Sequence, residues 1–218
     1  MNSHLKPAIA ELIGTFTLVF IGAGAVAMAK PSGGGIVAAA FAHGIALMVI
    51  VYTWGADSGA HVNPAVTFGL ALTGKISWIK AAWYWGAQFV GGIVAALILR
   101  VLIGTGDGLG ATIGTFTASD PGRTIAVEAI LTFFLVIAVF GTAVAGRNGI
   151  AAGLAIGLVL TMDILMGGFL TGASMNPART LGPAVALGDV SYVWLYFVGP
   201  LLGAAAGAFL YDRVILKS

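Results

Sequence analysis

Six apolar stretches, each about as long as a membrane-spanning helix, constrain the fold of this chain more than any other feature. They lie near residues 8–28, 36–54, 80–103, 125–145, 150–168 and 192–212. A helix needs about 20 apolar residues to cross the hydrocarbon core of a bilayer. Only 8% of the residues are charged, against about 25% in soluble domains. The sequence therefore predicts an all-α membrane protein with at least six transmembrane helices.

Little of the chain remains outside these spans. Six spans of about 20 residues use roughly 120 of the 218 residues. This leaves short connections, so residues 1–218 are expected to form a single membrane domain. The ten basic residues are scattered along the chain, which does not favour a nucleic-acid partner. Because there is no cysteine, disulfides and thiolate metal sites are excluded, and neither a metal nor a cofactor is expected.

The two halves of the sequence resemble each other, which indicates an internal duplication. "AELIGTFTLVF", which starts at residue 10, matches "VEAILTFFLVI", which starts at residue 127. "WYWGAQFVGG" from residue 83 likewise matches "LYFVGPLLGA" from residue 195. Each half contains three spans, an odd number, so the second half enters the membrane from the opposite side. The duplication is therefore predicted to be an inverted repeat.

The boundaries of the repeats follow from the spans. Repeat 1 is predicted at about residues 1–104 and repeat 2 at about residues 122–218. A loop at about residues 105–121 is expected to connect them.

One short segment in each half is too short to span. "GAHVNPAVTFG" at 59–69 and "GASMNPARTLG" at 172–182 share an Asn-Pro-Ala triplet. The apolar run after the first asparagine gives a helix of about 13 Å, under half of the roughly 30 Å hydrocarbon core. Asn is a favoured N-cap, and Pro is favoured at the first helical position. Each segment predicts a loop that enters the membrane, followed by a half-helix that returns to the same side.

Inversion brings the N-termini of the two half-helices, Asn63 and Asn176, together near the bilayer centre. Irregular backbone at that depth is tolerated where it lines a watery cavity, so we expect a narrow aqueous pore there. Two positive helix ends and two asparagine amides repel cations and favour a neutral solute that accepts a hydrogen bond. The loop carbonyls expected to line the pore belong to Gly59, Ala60, His61, Gly172, Ala173 and Ser174.

At these residues the sequence resembles the aquaporin, or major intrinsic protein, family, over nearly the whole chain. The motif that carries the resemblance consists of Asn63, Pro64, Ala65, Asn176, Pro177 and Ala178. The resemblance implies six helices and two half-helices around a pore in every subunit, usually within a homotetramer in the lipid bilayer. It also implies passive passage of water and small neutral solutes, with protons and ions excluded.

The resemblance further implies a selectivity filter, located by counting from the motif asparagines. Its four members are His43, Ile164, Ala173 and Arg179. Strictly water-selective relatives typically place Phe and His at the first two positions, and glycerol facilitators place Trp and Gly there. The pattern in this chain is similar to that of plant tonoplast intrinsic proteins, which are associated with water and ammonia, and in some members with urea or hydrogen peroxide. Water is therefore the expected main solute, and ammonia is the second.

Four other ionisable residues near the predicted pore have expected roles. By the resemblance, Glu11 and Glu128 brace the re-entrant loops by accepting backbone N–H bonds. His61 is expected to line the inner vestibule beside Asn63. Asp163 adjoins Ile164, and about 100° of helical rotation turns it toward a neighbouring helix or subunit, with a partner that the sequence does not identify.

The flanking basic residues predict the orientation. If the N-terminus is cytoplasmic, three basic residues lie outside, namely Lys30, Arg100 and Arg123. Six then lie inside: Lys6, Lys75, Lys80, Arg147, Arg213 and Lys217. Because basic residues are enriched in cytoplasmic loops, the chain is predicted to be a multi-pass protein of the cell membrane with both termini in the cytoplasm.

Two alternatives to a water channel remain open. A glycerol or polyol facilitator is one, although Thr180 and Ala184 stand where such channels usually carry Asp and a basic residue. The other is a secondary transporter, which also uses inverted repeats and broken helices. Ion coupling would require acidic residues at the central site, where both half-helices instead present positive ends. An enzyme is not expected, because the H-E-x-x-H and G-x-S-x-G motifs are absent.

Overall fold

A computed structural model of the chain describes residues 4–146 and 149–216. Within these ranges the protein consists of α-helices, short 3₁₀ and π turns and loops, with no β-strand. The six long helices are α1 (Leu5–Ala29), α2 (Gly35–Ser58), α4 (Trp78–Ile103), α5 (Pro121–Val139), α6 (Ala152–Thr171) and α8 (Leu195–Phe209). The two short helices are α3 (Pro64–Leu72) and α7 (Pro177–Leu187). The predicted fold class is confirmed.

The six long helices are the predicted spans. Each is long and apolar enough to cross a membrane. The spans of α5 and α8 include π-helical turns, at Phe140–Val144 and Leu210–Ile215, that continue these helices. Two basic residues used for the orientation, Arg147 and Lys217, lie outside the described residues. The first three residues of repeat 1 and the last two residues of repeat 2 also lie outside them.

The spans alternate in direction through the membrane. Helices α1, α4 and α6 run from one face, called the inner face here, to the outer face, and α2, α5 and α8 run back. Half-helix α3 runs from the centre to the inner face, and α7 runs from the centre to the outer face. The two short helices coincide with the short runs "PAVTFGLAL" and "PARTLGPAVAL" that follow Asn63 and Asn176.

Close contact between spans depends on small residues. A side chain on Gly91 of α4 would collide with the backbone carbonyl of Leu12 on α1. In the second half, Gly203 of α8 lies in the same way against the carbonyl of Ala129 on α5. Such contacts are typical of membrane helices, which associate by close packing rather than by a hydrophobic driving force.

The outward faces of the spans are apolar. Val101, Ile79 and Phe169 are 85%, 66% and 68% exposed in the isolated chain. A helix that is apolar on every side belongs in lipid or inside a larger assembly. Polar side chains are instead gathered in the interior, around the two re-entrant loops.

Candidate functional site

The re-entrant loops that precede the half-helices have an unusual backbone. In the first loop Gly59, Ala60 and Val62 have φ values of 92°, 48° and 42°. A positive φ is uncommon for residues other than glycine, and for a β-branched residue such as Val62 it is a true outlier. The second loop repeats the pattern, with φ of 45° at Ala173 and 54° at Met175. Such conformations persist only where the surroundings determine them.

The Glu11 carboxylate holds the first loop in this conformation. Its Oε1 accepts hydrogen bonds from the His61 N–H at 2.9 Å and from the Ser58 hydroxyl at 2.7 Å. Its Oε2 accepts from the Val62 N–H at 2.6 Å and from the Gln88 amide at 2.7 Å. A buried carboxylate is tolerated because donors surround it on both oxygens.

The Glu128 carboxylate holds the second loop in the same way. Its Oε1 accepts from the Ser174 N–H at 3.0 Å and from the Thr171 hydroxyl at 2.7 Å, and its Oε2 accepts from the Met175 N–H at 2.7 Å. Both glutamates are fully buried. Each glutamate thus accepts hydrogen bonds from two backbone N–H groups of one re-entrant loop.

The two motif asparagines cap the half-helices. Asn63 Oδ1 accepts a hydrogen bond from the Ala65 N–H at 2.8 Å. Asn176 Oδ1 accepts from the N–H groups of Ala178 and Arg179 at 3.0 and 3.2 Å. Pro64 and Pro177 occupy the first helical positions, where a missing N–H costs nothing.

The same asparagines also tie the two loops to each other. Asn63 Nδ2 donates to the Met175 carbonyl at 2.8 Å, and Asn176 Nδ2 donates to the Val62 carbonyl at 2.9 Å. Since a primary amide carries two N–H groups, one hydrogen on each side chain is left. Both asparagines line the central cavity, so these remaining donors lie beside it.

Arg179, in the first turn of α7, is held by three acceptors. Its Nη1 donates to the Gly110 carbonyl at 2.7 Å and to the Thr112 hydroxyl at 2.8 Å. Its Nε donates to His43 Nε2 at 3.3 Å. The side chain is 3% exposed, so the guanidinium is fixed in place inside the protein.

The His43 ring is oriented on both sides. Its Nδ1 lies 2.8 Å from the Ala39 carbonyl. Because a carbonyl oxygen only accepts hydrogen bonds, Nδ1 carries the hydrogen and donates it. Nε2 then carries the lone pair that accepts from Arg179. His43 is therefore a neutral ring whose acceptor nitrogen is already used by the neighbouring cation.

A cavity of about 450 Å³ extends from the inner ends of the helices to this region. At its inner end it is lined by Lys75 and Lys80, and at its outer end by His43 and Arg179. The predicted site residues along its wall are Gly59, Ala60, His61, Asn63, Ser174 and Asn176. His61 is turned to bring its Nδ1 within 3.1 Å of the Thr67 hydroxyl.

Of the residues predicted for the filter or for the pore-lining loops, three are not part of the wall of this cavity: Ile164, Ala173 and Gly172. Ile164 and Ala173 are 3% and 2% exposed. Asp163 is also buried within its own chain, so it does not reach a neighbouring subunit. Its Oδ2 has no hydrogen-bond partner among the described residues.

Several residues that shape the site were not found from the sequence. Tyr84 and Tyr196 donate to the carbonyls of Ser58 and Thr171 at matched places, 2.6 and 2.5 Å away. Their alignment in "WYWGAQ" and "LYFVGP" is a signal that could have found them. Thr112 carries no such signal, because its place beside Arg179 depends on the folding of a long loop.

Six spans that enclose two half-helices, with their tips at a buried cavity, define a polytopic membrane channel. The chain matches the family model described as "Major intrinsic protein" over residues 1–211. It is 43% identical to Aquaporin TIP1-2 of Zea mays over 224 residues, which cover 97% of this chain and 86% of that protein. It is 42% identical to Aquaporin NIP1-3 of Oryza sativa subsp. japonica over 215 residues, which cover 96% of this chain and 73% of that protein. The chain belongs to the major intrinsic protein family.

A solved structure is similar over the same length. The X-ray structure of the aquaglyceroporin from Plasmodium falciparum has a TM-score of 0.85 and 28% sequence identity, with 98% of each chain covered. The predicted family and the predicted passive channel are thereby confirmed. The family is one of channels and not of enzymes.

Proposed function

We propose that the protein is a passive channel for water and small neutral solutes and that it excludes protons and ions. The observation that carries the proposal is the meeting of two half-helix tips at the cavity, with Asn63 and Asn176 each leaving one N–H donor there. Both helix ends are positive, so a cation is repelled at this point. A neutral molecule with a lone pair replaces its lost hydration by accepting from the asparagines.

The proposed selectivity filter comprises His43, Ile164, Ala173 and Arg179. The direct bond between Arg179 and His43 supports it, because two filter members from distant parts of the chain lie in contact. Ala173 immediately precedes the loop residue Ser174 on the cavity wall. Ile164 and Ala173 contribute no side-chain donor, so this side of the filter is apolar.

The proposed solute range is water first and ammonia second, with urea and hydrogen peroxide as further candidates. Ammonia is small, accepts one hydrogen bond and carries no charge. Because Ile164 and Ala173 offer no side-chain donor, the advantage that water, with two lone pairs, has over ammonia, with one, is smaller there.

Parallel stopped-flow measurements on proteoliposomes test the proposal. Vesicles that contain the protein should shrink faster than empty vesicles under an osmotic gradient of an impermeant sugar. Separate arms measure ammonia by internal pH, and urea and glycerol by reswelling. A flux that saturates with solute concentration would indicate a transporter, and an ion current in planar bilayers would contradict an ion-excluding pore.

A glycerol facilitator is the second candidate, because the similar solved structure described above is that of an aquaglyceroporin. The glycerol arm separates the two proposals. Glycerol reswelling as fast as that of urea, with slow water flow, would favour the facilitator.

We further propose a homotetramer in the cell membrane with both termini in the cytoplasm. The broad apolar exposure of the isolated chain is consistent with contacts to lipid and to other subunits. Mass measurement of the purified protein in lipid nanodiscs should give four chains per particle. A single chain per particle would contradict the assembly while leaving the channel proposal in place.

A further inference from the structure

An ion pair at the inner end of the cavity lies outside the residues that the proposed filter uses. Lys75 follows half-helix α3 and lines the cavity, and its Nζ lies 2.6 Å from Asp212 Oδ1. Asp212 belongs to the π-helical turn Leu210–Ile215 that continues α8. The Asp212 side chain is 5% exposed, whereas that of Lys75 is 35% exposed. The Lys75 ammonium, which faces the cavity, is thus bonded to the almost completely buried carboxylate of Asp212.

The inverted repeat shows a matching arrangement on the outer side. The third spans of the two halves align with an offset of 112 residues, which places Arg100 opposite Asp212. Arg100 Nη1 donates to the Ala186 carbonyl at 2.7 Å, in the last turn of α7. In each half, therefore, a charged residue near the end of the third span contacts the C-terminal end of the short helix from the other half. Arg100 contacts the end of α7, and Asp212 contacts Lys75, which follows α3.

The inner arrangement differs from the outer one in what it holds. Arg100 donates to a helix-end carbonyl, which needs a donor because the last carbonyls of a helix lack intrahelical partners. Asp212 instead holds the Lys75 ammonium group at the wall of the cavity. Arg213 also contacts Asp212, with its Nε 3.3 Å from Oδ2, but its side chain is 50% exposed.

We propose that Asp212 is a positioning residue that keeps the Lys75 ammonium out of the permeation path. A lysine stem is flexible and its charge is strongly hydrated, so an ammonium that loses its carboxylate moves toward water. Lys75 already lines the cavity, so the released ammonium has the cavity within its reach. There the hydrated ammonium narrows the path, and its charge adds to the positive half-helix ends. This inference rests on the proposed water channel.

The other two lysines at the inner mouth supply matched controls. Lys6 Nζ lies 2.7 Å from Asp57 Oδ1. Asp57 lines the cavity, but the Lys6 side chain is 71% exposed and does not. Release of Lys6 therefore sends its ammonium into bulk solvent. Lys80 lies over the Tyr84 ring, 5.3 Å from its centre, and is independent of Asp212.

The test is a set of substitutions measured as water permeability per reconstituted protein. Asp212→Asn should lower water permeability about twofold or more, because it releases a charge into the path. The decisive variant combines Lys75→Met with Asp212→Asn, and it should recover the permeability that Asp212→Asn alone loses.

Three controls separate this effect from general damage. Asp57→Asn should not reduce water flow, and neither Arg213→Met nor Lys80→Met should rescue Asp212→Asn. The inference is overturned if the Lys75→Met and Asp212→Asn combination stays as slow as Asp212→Asn alone, or if Asp212→Asn has no effect. Wild-type vesicles that shrink no faster than empty ones would instead overturn the proposed water channel.

Discussion

The guanidinium of Arg179 uses three of its five N–H groups within the protein. The Nε hydrogen binds His43, and the two Nη1 hydrogens bind Gly110 and Thr112. The two hydrogens on Nη2 are not used by these bonds. His43, Gly110 and Thr112 fix the guanidinium, so its charge stays in one place. A fixed charge is more effective as an electrostatic barrier in the proposed filter than a mobile one.

Arg179→Val should make the pore less selective. The substitution removes a fixed charge whose repulsion of a nearby cation is on the order of 1–4 kcal/mol. A difference of about 1.4 kcal/mol corresponds to a tenfold change in an equilibrium constant, so cation leakage should rise by about tenfold or more. Urea flux should rise as well, because valine is shorter. Arg179→Lys is the matched control, since it keeps the charge and loses the planar fork. Unchanged urea flux and conductance in Arg179→Val would remove this residue from the filter.

Val66 tests whether the cavity is the conducting path. It lies on α3, is 4% exposed and lines the cavity. The wild-type channel should be insensitive to mercurials because it has no cysteine, and Val66→Cys should be blocked by them and recovered by a reducing agent. Val185 of α7 is 40% exposed and does not line the cavity, so the Val185→Cys channel should stay open in the presence of mercurials. Mercurial block of the wild type would contradict the account.

The re-entrant loops combine strained backbone with buried carboxylates, and neither is stable without the other. Each positive-φ residue other than glycine costs on the order of 1–3 kcal/mol. A carboxylate that accepts two backbone N–H groups offsets that cost, because both donors would otherwise be buried without partners. The loops and the glutamates therefore form one unit in each half of the protein.

Glu128→Gln should destabilise the fold and reduce water flow together. The introduced amide directs N–H hydrogens toward a region that contains the N–H groups of Ser174 and Met175, so one of these loses its acceptor. The free energy of unfolding should fall by about 2–4 kcal/mol, which a lower melting temperature in detergent would show. Slower vesicle shrinkage would show the reduced water flow. Asp107→Asn, an exposed acid in the outer loop, should change neither quantity. A wild-type melting temperature in Glu128→Gln would show that the loop does not depend on this charge.

The sequence was most informative where one local signal sufficed. Apolar length predicted the spans, and the capped Asn-Pro start predicted the bounds of α3 and α7. The bracing role of Glu11 and Glu128 was implied by the resemblance to the family. The partners of Arg179 were not predictable, because Gly110 and Thr112 come from a loop whose path depends on the folded spans. The same holds for Lys75 and Asp212, which lie far apart in the sequence and meet only when α3 packs against α8.

The orientation of the whole molecule depends on charges at the helix ends. On the inner face the described basic residues are Lys6, Lys75, Lys80 and Arg213. On the outer face, Arg179 aside, they are Lys30, Arg100 and Arg123. Some of these residues are in ion pairs: Lys6 is bonded to Asp57, and Arg123 is bonded to Asp120 through Nε at 3.1 Å. Acidic residues contribute little to the rule that places basic loops in the cytoplasm, so these ion pairs leave the count of basic residues unchanged.

Single cysteines in the cysteine-free chain should establish which face is cytoplasmic. Ser32, between α1 and α2, is exposed on the outer face, and Ser77, before α4, is exposed on the inner face. In intact cells a membrane-impermeant maleimide should label Ser32→Cys and leave Ser77→Cys unlabelled, and permeabilisation should make both react. The wild-type chain supplies a background free of its own thiols. The reverse pattern would place both termini outside the cytoplasm, and the cavity end lined by Lys75 would then open to the exterior.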